Sequence, residues 1–184
     1  PSALREPLYP ILLGAAFKAF GATYGTALAL NALLSIAAVW LLFLIGRRLL
    51  GAGTAWIAAA MAAAYPPFIY YSAQPMRETV VALMGLCAVG ALLWALEKRT
   101  PAALAAAGGV NAMAALANTT FLPFGAVLVP LGLVLRERPP RRPALPGAYL
   151  AVFGLLYCLW PLRNYAVFGR LVLGSTAGAG STFY

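Results

Sequence analysis

Histidine is missing from this chain of 184 residues, and Glu6, Glu78, Glu97 and Glu137 are its only acids. Without imidazole there is no His-based acid–base chemistry, no His-ligated metal and no catalytic triad within this stretch. No cofactor is evident, and single carboxylates do not make a metal site, so a divalent ion has no support here. There are only two cysteines, Cys87 and Cys158, and both fall inside apolar runs. They read as small buried hydrophobes rather than as a disulfide pair. Charge of either sign is scarce, at 9% of residues. The cations outnumber the acids by 13 to 4, yet they do not gather into the basic stripe that nucleic-acid binding requires.

What the chain does have is long uncharged spans between small knots of charge. Lys18 and Arg47 are separated by 28 uncharged residues, and Arg48 and Arg77 by another 28. Thr79–Leu96, Thr100–Leu135 and Pro143–Leu162 carry no charge either. Hydrophobic residues make up 63% of the chain and the mean hydropathy is +0.86, well above soluble domains at about 45–50% apolar. A bilayer core about 30 Å thick takes roughly 20 apolar residues as helix. Backbone groups in hydrocarbon must be paired, which leaves helices or closed barrels. The spans are dense in Ala and Leu rather than alternating, which excludes barrel strands. The fold class is therefore all-α: a polytopic transmembrane helical bundle of about six spanning helices, preceded by a short interfacial N-terminal helix.

The expected interfacial helix is Pro7–Phe20, too short to span, entered through Pro7 and closed near Gly21. The expected spans are Thr26–Ile45, Thr54–Phe68, Thr79–Leu96, Pro101–Ala117, Phe121–Leu135 and Ala144–Leu162. The second thins out at Tyr65-Pro66-Pro67, where proline opposes helix continuation. The stretch Thr100–Leu135 would be about 54 Å long as one helix, so Asn118-Thr119-Thr120 is taken as a turn. One membrane domain over residues 1–184 results: an outer-face loop and interfacial helix at 1–25, six spans over 26–162, and an outer-face loop at 163–184. The chain starts at Pro1 without an initiator methionine, and a piece of a longer protein is expected.

Six passes set Arg47, Arg48, Lys98, Arg99, Arg136, Arg138, Arg141 and Arg142 on one face, and Arg5, Lys18, Arg77, Arg163 and Arg170 on the other. The positive-inside rule makes the face with eight cations cytoplasmic. The loops of the opposite face then point outward. Each sets charge beside aromatics and proline: Arg5-Glu6-Pro7-Leu8-Tyr9-Pro10, then Tyr70 to Glu78, then Trp160-Pro161-Leu162-Arg163-Asn164-Tyr165.

These loops, with Gly46-Arg47-Arg48-Leu49-Leu50-Gly51, the turn Pro66-Pro67-Phe68-Ile69-Tyr70-Tyr71-Ser72, and the run Trp160 to Arg170, occur in an order that resembles the GT-C class of polytopic glycosyltransferases. The similarity is to the protein O-mannosyltransferase and aminoarabinose transferase group, glycosyltransferase family 39. It runs over nearly the whole chain. The resemblance implies transfer of a sugar, with inversion, from a polyprenyl-phosphate carrier at the outer membrane face to a glycan, lipid or protein acceptor. It implies a general base in the first outer loop, upstream of Pro1, and leaves Glu6 outside that role. It also implies an auxiliary acid at Glu78, because similar enzymes carry a second acidic residue in this outer loop. A bacterial inner membrane suits the Ala- and Arg-rich composition.

The residue chemistry points the same way. A departing lipid phosphate gathers negative charge, and fixed donors around it lower the barrier. Arginine binds phosphate oxygens through a planar fork, which makes Arg5, Arg77 and Arg163 candidates, one per loop and able to converge. Tyr9, Tyr71 and Asn164 complete the candidate substrate-binding set. Plainer accounts stand beside these. Arg77 and Glu78 also suit an ion pair at a helix start, Arg5 and Glu6 a local pair, and Arg163 a snorkelling anchor. Tyr65, Tyr70 and Tyr71 suit an aromatic belt. Gly174–Ser181 could offer backbone N–H groups to a phosphate but has no P-loop lysine. The rival class is a non-enzymatic transporter or lipid-handling subunit. Transporters place polar groups at mid-membrane depth, whereas only Asn31 and Asn111 stand out here.

Overall fold

A computed structural model describes residues 6–136 and 144–169. Every regular element among them is helical, so the all-α class holds. The chain divides into two compact units, Tyr9–Gly90 and the described residues of Pro1–Leu8 with Ala91–Tyr184. Each is taken by itself.

The first unit contains α1 (Leu8–Phe20, entered at its Tyr9), α2 (Tyr24–Leu50), α3 (Ala52–Ala64), α4 (Pro66–Ser72) and the start of α5 (Glu78–Lys98). Helix α1 follows Pro7 and stops at Gly21, whose φ of +91° a residue with a Cβ rarely adopts. Its 13 residues make about 20 Å, short of a bilayer core. Thr23 caps α2 by accepting the N–H of Thr26 at 3.1 Å. Arg47 and Arg48 lie in the last turn of α2, where cations suit the helix dipole, so α2 outlasts the expected end at Ile45. Between α3 and α4 the axis bends by 61°. Tyr65 is extended there (φ −70°, ψ 115°), as the residue before a proline prefers. Helix α3 packs on α2 through Ala55 and Ala59, which close over Phe43.

The second unit contains the remainder of α5 together with α6 (Pro101–Ala117), α7 (Phe121–Pro123), a π-helical turn (Phe124–Leu128), α8 (Val129–Arg136) and α9 (Ala144–Phe168). Thr100 caps α6, accepting the N–H of Ala103 at 3.2 Å. Asn118 ends it, its Oδ1 accepting from the N–H and hydroxyl of Thr120 at 3.0 and 2.9 Å. The break thus falls where the polar triplet placed it. The π turn comes just before Pro130, which has no N–H to give to the ladder. Helix α6 is mostly Ala and Gly and presses against α9. Ala103, Ala107, Ala112 and Ala115 are buried against Tyr149, Phe153 and Tyr157, which repeat every four residues and stack at 6.0 Å spacing. Small side chains let the helix backbones approach, the usual basis of packing in lipid.

Three helices are long and apolar enough to cross a membrane, Tyr24–Leu50, Glu78–Lys98 and Pro146–Val167, or up to four if the bent α3–α4 pair is one span. The six spans expected are not reached by length among the described residues. Pro101–Ala117 and Phe121–Leu135 keep their expected bounds but are short, and Pro66 and Pro67 divide another. Only 22–28% of the three long spans is buried within the structure, which leaves Leu33, Leu155 and Leu159 facing outward as lipid contact demands. Cys158 is exposed and Cys87 half-buried, and both are free thiols. Helix α9 also runs through Pro161 to Phe168, past the expected end at Leu162. One interior proline is tolerated where neighbouring helices support the chain. The basic loop from Glu137 to Pro143, Arg170 and Gly174–Ser181 lie outside the described residues, as does Arg5.

Candidate functional site

In the first unit the chain between α4 and α5 is held by a residue of α2. Asn31 is fully buried, and its amide nitrogen donates to the carbonyl oxygens of Met76 (3.0 Å), Gln74 and, more distantly, Tyr71 (3.5 Å). Three acceptors on one side decide which way this amide points. Thr79, 2% exposed, adds a hydroxyl to the Tyr71 carbonyl at 3.3 Å. The turn is therefore tied at both ends, and Glu78 follows it directly as the first residue of α5.

Glu78 sits where a helix N-terminus favours negative charge. Its Oε2 is buried without a hydrogen-bond partner, and so are Oδ1 of Asn31 and the hydroxyl of Tyr9. Burial raises the Tyr9 pKa above its usual value; the nearby Asn31 amide opposes this, and the charge of Glu78 adds to it. Asn31 is thus close to Tyr9, yet the geometry stops short of a hydrogen bond. Tyr71 is half-buried and its ring meets Tyr70 edge-on at 5.5 Å. Arg77, also half-buried, lends its carbonyl to the N–H of Val81 at 2.9 Å and so opens α5.

In the second unit, Arg163 and Asn164 lie on the last turns of α9. Asn164 is fully buried and accepts from the Arg163 guanidinium at 3.1 Å. The same guanidinium lies 5.1 Å from the centre of the Trp160 ring, a cation–π arrangement that turns it back along the helix. Glu6, only 6% exposed, accepts from the Thr119 hydroxyl at 3.2 Å, so it is not a solvated surface charge. Among the described residues no group of three or more His, Cys, Asp or Glu could hold a metal ion.

The profile of the dolichyl-phosphate-mannose-protein mannosyltransferase family matches residues 4–163. The chain belongs to that family. It is a membrane glycosyltransferase of the mannosyltransferase type. The mannosyltransferase match takes in Arg5, Tyr9, Tyr71, Arg77, Glu78 and Arg163, and stops one residue short of Asn164. No curated protein and no solved structure matches the chain.

Of the residues singled out from sequence, the structure places Tyr9, Tyr71, Arg77 and Glu78 in one unit and Arg163 and Asn164 in the other. Asn31 and Thr79 were not singled out for a role. The available signal was Asn31 itself, a carboxamide inside an otherwise apolar span, which is costly unless it has a task. Asn111, the second such residue, only bonds back to the Ala107 carbonyl of its own helix at 2.9 Å.

Proposed function

We propose that this mannosyltransferase-type protein moves a sugar from a polyprenyl-phosphate carrier to an acceptor at the extracytoplasmic face of a bacterial inner membrane. The family match over residues 4–163 carries the reading, since the family's own name couples a dolichyl-phosphate-mannose donor to a protein acceptor. Glu78 is the auxiliary acid: a carboxylate with one unpaired buried oxygen can take the hydrogen bond of a substrate hydroxyl. Tyr9 and Tyr71 border the sugar. Arg5, Arg77 and Arg163 are the candidates for contact with phosphate, and within its own unit Asn164 holds the Arg163 guanidinium in place. The general base is assigned to none of the described residues.

The test uses the full-length protein in proteoliposomes with mannosyl polyprenyl phosphate or a nucleotide-linked mannose as donor. Transfer from the lipid-linked donor alone is expected, and Arg163→Ala or Glu78→Gln should cut it at least tenfold with unchanged membrane insertion. Transfer from the nucleotide sugar alone would defeat the donor assignment. Full activity in both variants would defeat the site assignment.

A further inference from the structure

Among the described residues of one unit, four buried polar atoms lack a partner from the protein: the Ser35 hydroxyl, which lines an apolar cavity with Val39, Phe43 and Trp56, and three others, Oδ1 of Asn31, the hydroxyl of Tyr9 and Oε2 of Glu78. Asn31 is fully buried and Tyr9 is 9% exposed. Buried polar groups in folded proteins are nearly always paired, and the exceptions call for an explanation. Leaving each unpaired costs about 1–3 kcal/mol, so three together are a sizeable burden unless something fills the gap.

Their chemistry narrows what fills it. Asn31 has only its acceptor Oδ1 left to offer, because the amide nitrogen is committed to the Gln74 and Met76 carbonyls. An ionised Glu78 only accepts as well. Tyr9 can do both. The partner must therefore bring at least two donors. A phosphate brings oxygens and negative charge, and both the carboxylate and the carbonyl-type oxygen repel it. A divalent cation wants six or more oxygens and usually several carboxylates, but there is one carboxylate here, next in sequence to Arg77. Two adjacent hydroxyls satisfy all three atoms.

We propose that Tyr9, Asn31 and Glu78 form a single subsite that takes a pair of neighbouring hydroxyls on the donor's sugar ring and turns away its phosphate. The donor is preferred over the acceptor because a lipid carrier holds its sugar at membrane level. Asn31 and Glu78 belong to helices long and apolar enough to cross a membrane and Tyr9 to a shorter apolar helix, whereas an acceptor protein arrives from water. Asn31 has two duties in this arrangement: its nitrogen fixes the turn that carries Glu78, and its oxygen receives a hydroxyl. The inference rests on the donor assignment made above and adds to it Asn31 and the kind of group bound.

The experiment uses the full-length protein with mannosyl polyprenyl phosphate and its 2-, 3-, 4- and 6-deoxy analogues, comparing wild type with Tyr9→Phe and Glu78→Gln. A site built to hydrogen-bond a hydroxyl discriminates strongly against the analogue lacking it. The wild type should prefer the parent donor over at least one ring-deoxy analogue by on the order of tenfold to a hundredfold in kcat/KM. Tyr9→Phe, which deletes a single oxygen, should abolish that preference and leave the preferences at the other positions intact. A uniform loss across all donors in Tyr9→Phe, with wild-type transfer intact, overturns the subsite alone. No transfer by the wild type from any lipid-linked donor removes the donor assignment and the subsite together. Loss of the hydroxyl preference on adding a chelator would mark the trio as a cation site and equally overturn the proposal.

Discussion

Gly108 of α6 lies against the backbone carbonyl of Tyr149 in α9 so closely that a Cβ at that position would overlap the oxygen. The obstacle is main chain and cannot swing aside. Alanine would gain about 1 kcal/mol of helix propensity over glycine, but overpacking costs about 1–3 kcal/mol and here the helices themselves would have to part. Gly108→Ala should lower the thermal midpoint in detergent. Gly109→Ala should hold or raise it, because its new Cβ meets only side-chain methyls, Leu156 Cδ1 at 3.4 Å and Val152 Cγ1 at 3.6 Å. Equal effects at the two positions would contradict the packing described.

Gly125 makes a similar approach to the ring of Phe153, but a ring can move if its surroundings allow. Phe153 is stacked between Tyr149 and Tyr157 with 9° between the planes on each side, so it has little freedom. Gly125→Ala should destabilise, and Phe153→Leu in the same chain should recover part of the loss. A coupling of about 0.5–3 kcal/mol between the two substitutions is expected from residues in contact. Strict additivity in the double variant would show that the two do not meet.

Asn31 gives a test of side-chain orientation. Asn31→Ala leaves the Gln74 and Met76 carbonyls without this donor and should cost about 1–3 kcal/mol, read as faster proteolysis between Tyr71 and Glu78. Asn31→Asp should be worse than alanine, because it sets a carboxylate against those same carbonyls. If Asp proves milder than Ala, the amide points the other way.

Tyr9 carries a pH signature. Its pKa is raised in the folded protein, first by burial and further by Glu78, so its contribution to stability is fully present below the unfolded value near 10 and is lost as pH rises through the folded value. Below pH 9 the hydroxyl stays neutral and able to donate. The thermal midpoint should therefore fall less steeply above pH 10 in Tyr9→Phe than in wild type. Identical slopes would mean that Tyr9 titrates as an exposed phenol.

Much of the fold could be read along the chain. The Asn118 turn, the Gly21 stop and the proline break after Tyr65 each follow from residues adjacent in sequence, and α6 keeps its expected bounds. The end of α9 could not be read this way: Pro161 looked like a terminus, yet the helix passes through it. Six spans are not reached by helix length among the described residues for a related reason. Charge-free length shows where a helix can form, while a bend of 61° or a 17-residue segment changes what that helix can cross. The candidate site was legible in part. Glu78 and Tyr9 stood out as polar groups beside aromatics, but Asn31 appeared only as an oddity.

Sequence alone settled where most of these helices begin and where the chain breaks between them, because each N–H in an apolar medium is satisfied a few residues away and local composition decides whether that is possible. Tertiary packing decided which polar atoms share a space. Asn31 reaches carbonyls 43 and 45 residues further along, and Tyr9 lies near a carboxylate from another helix. No spacing rule encodes such meetings, since they depend on how helices distant in sequence are brought side by side.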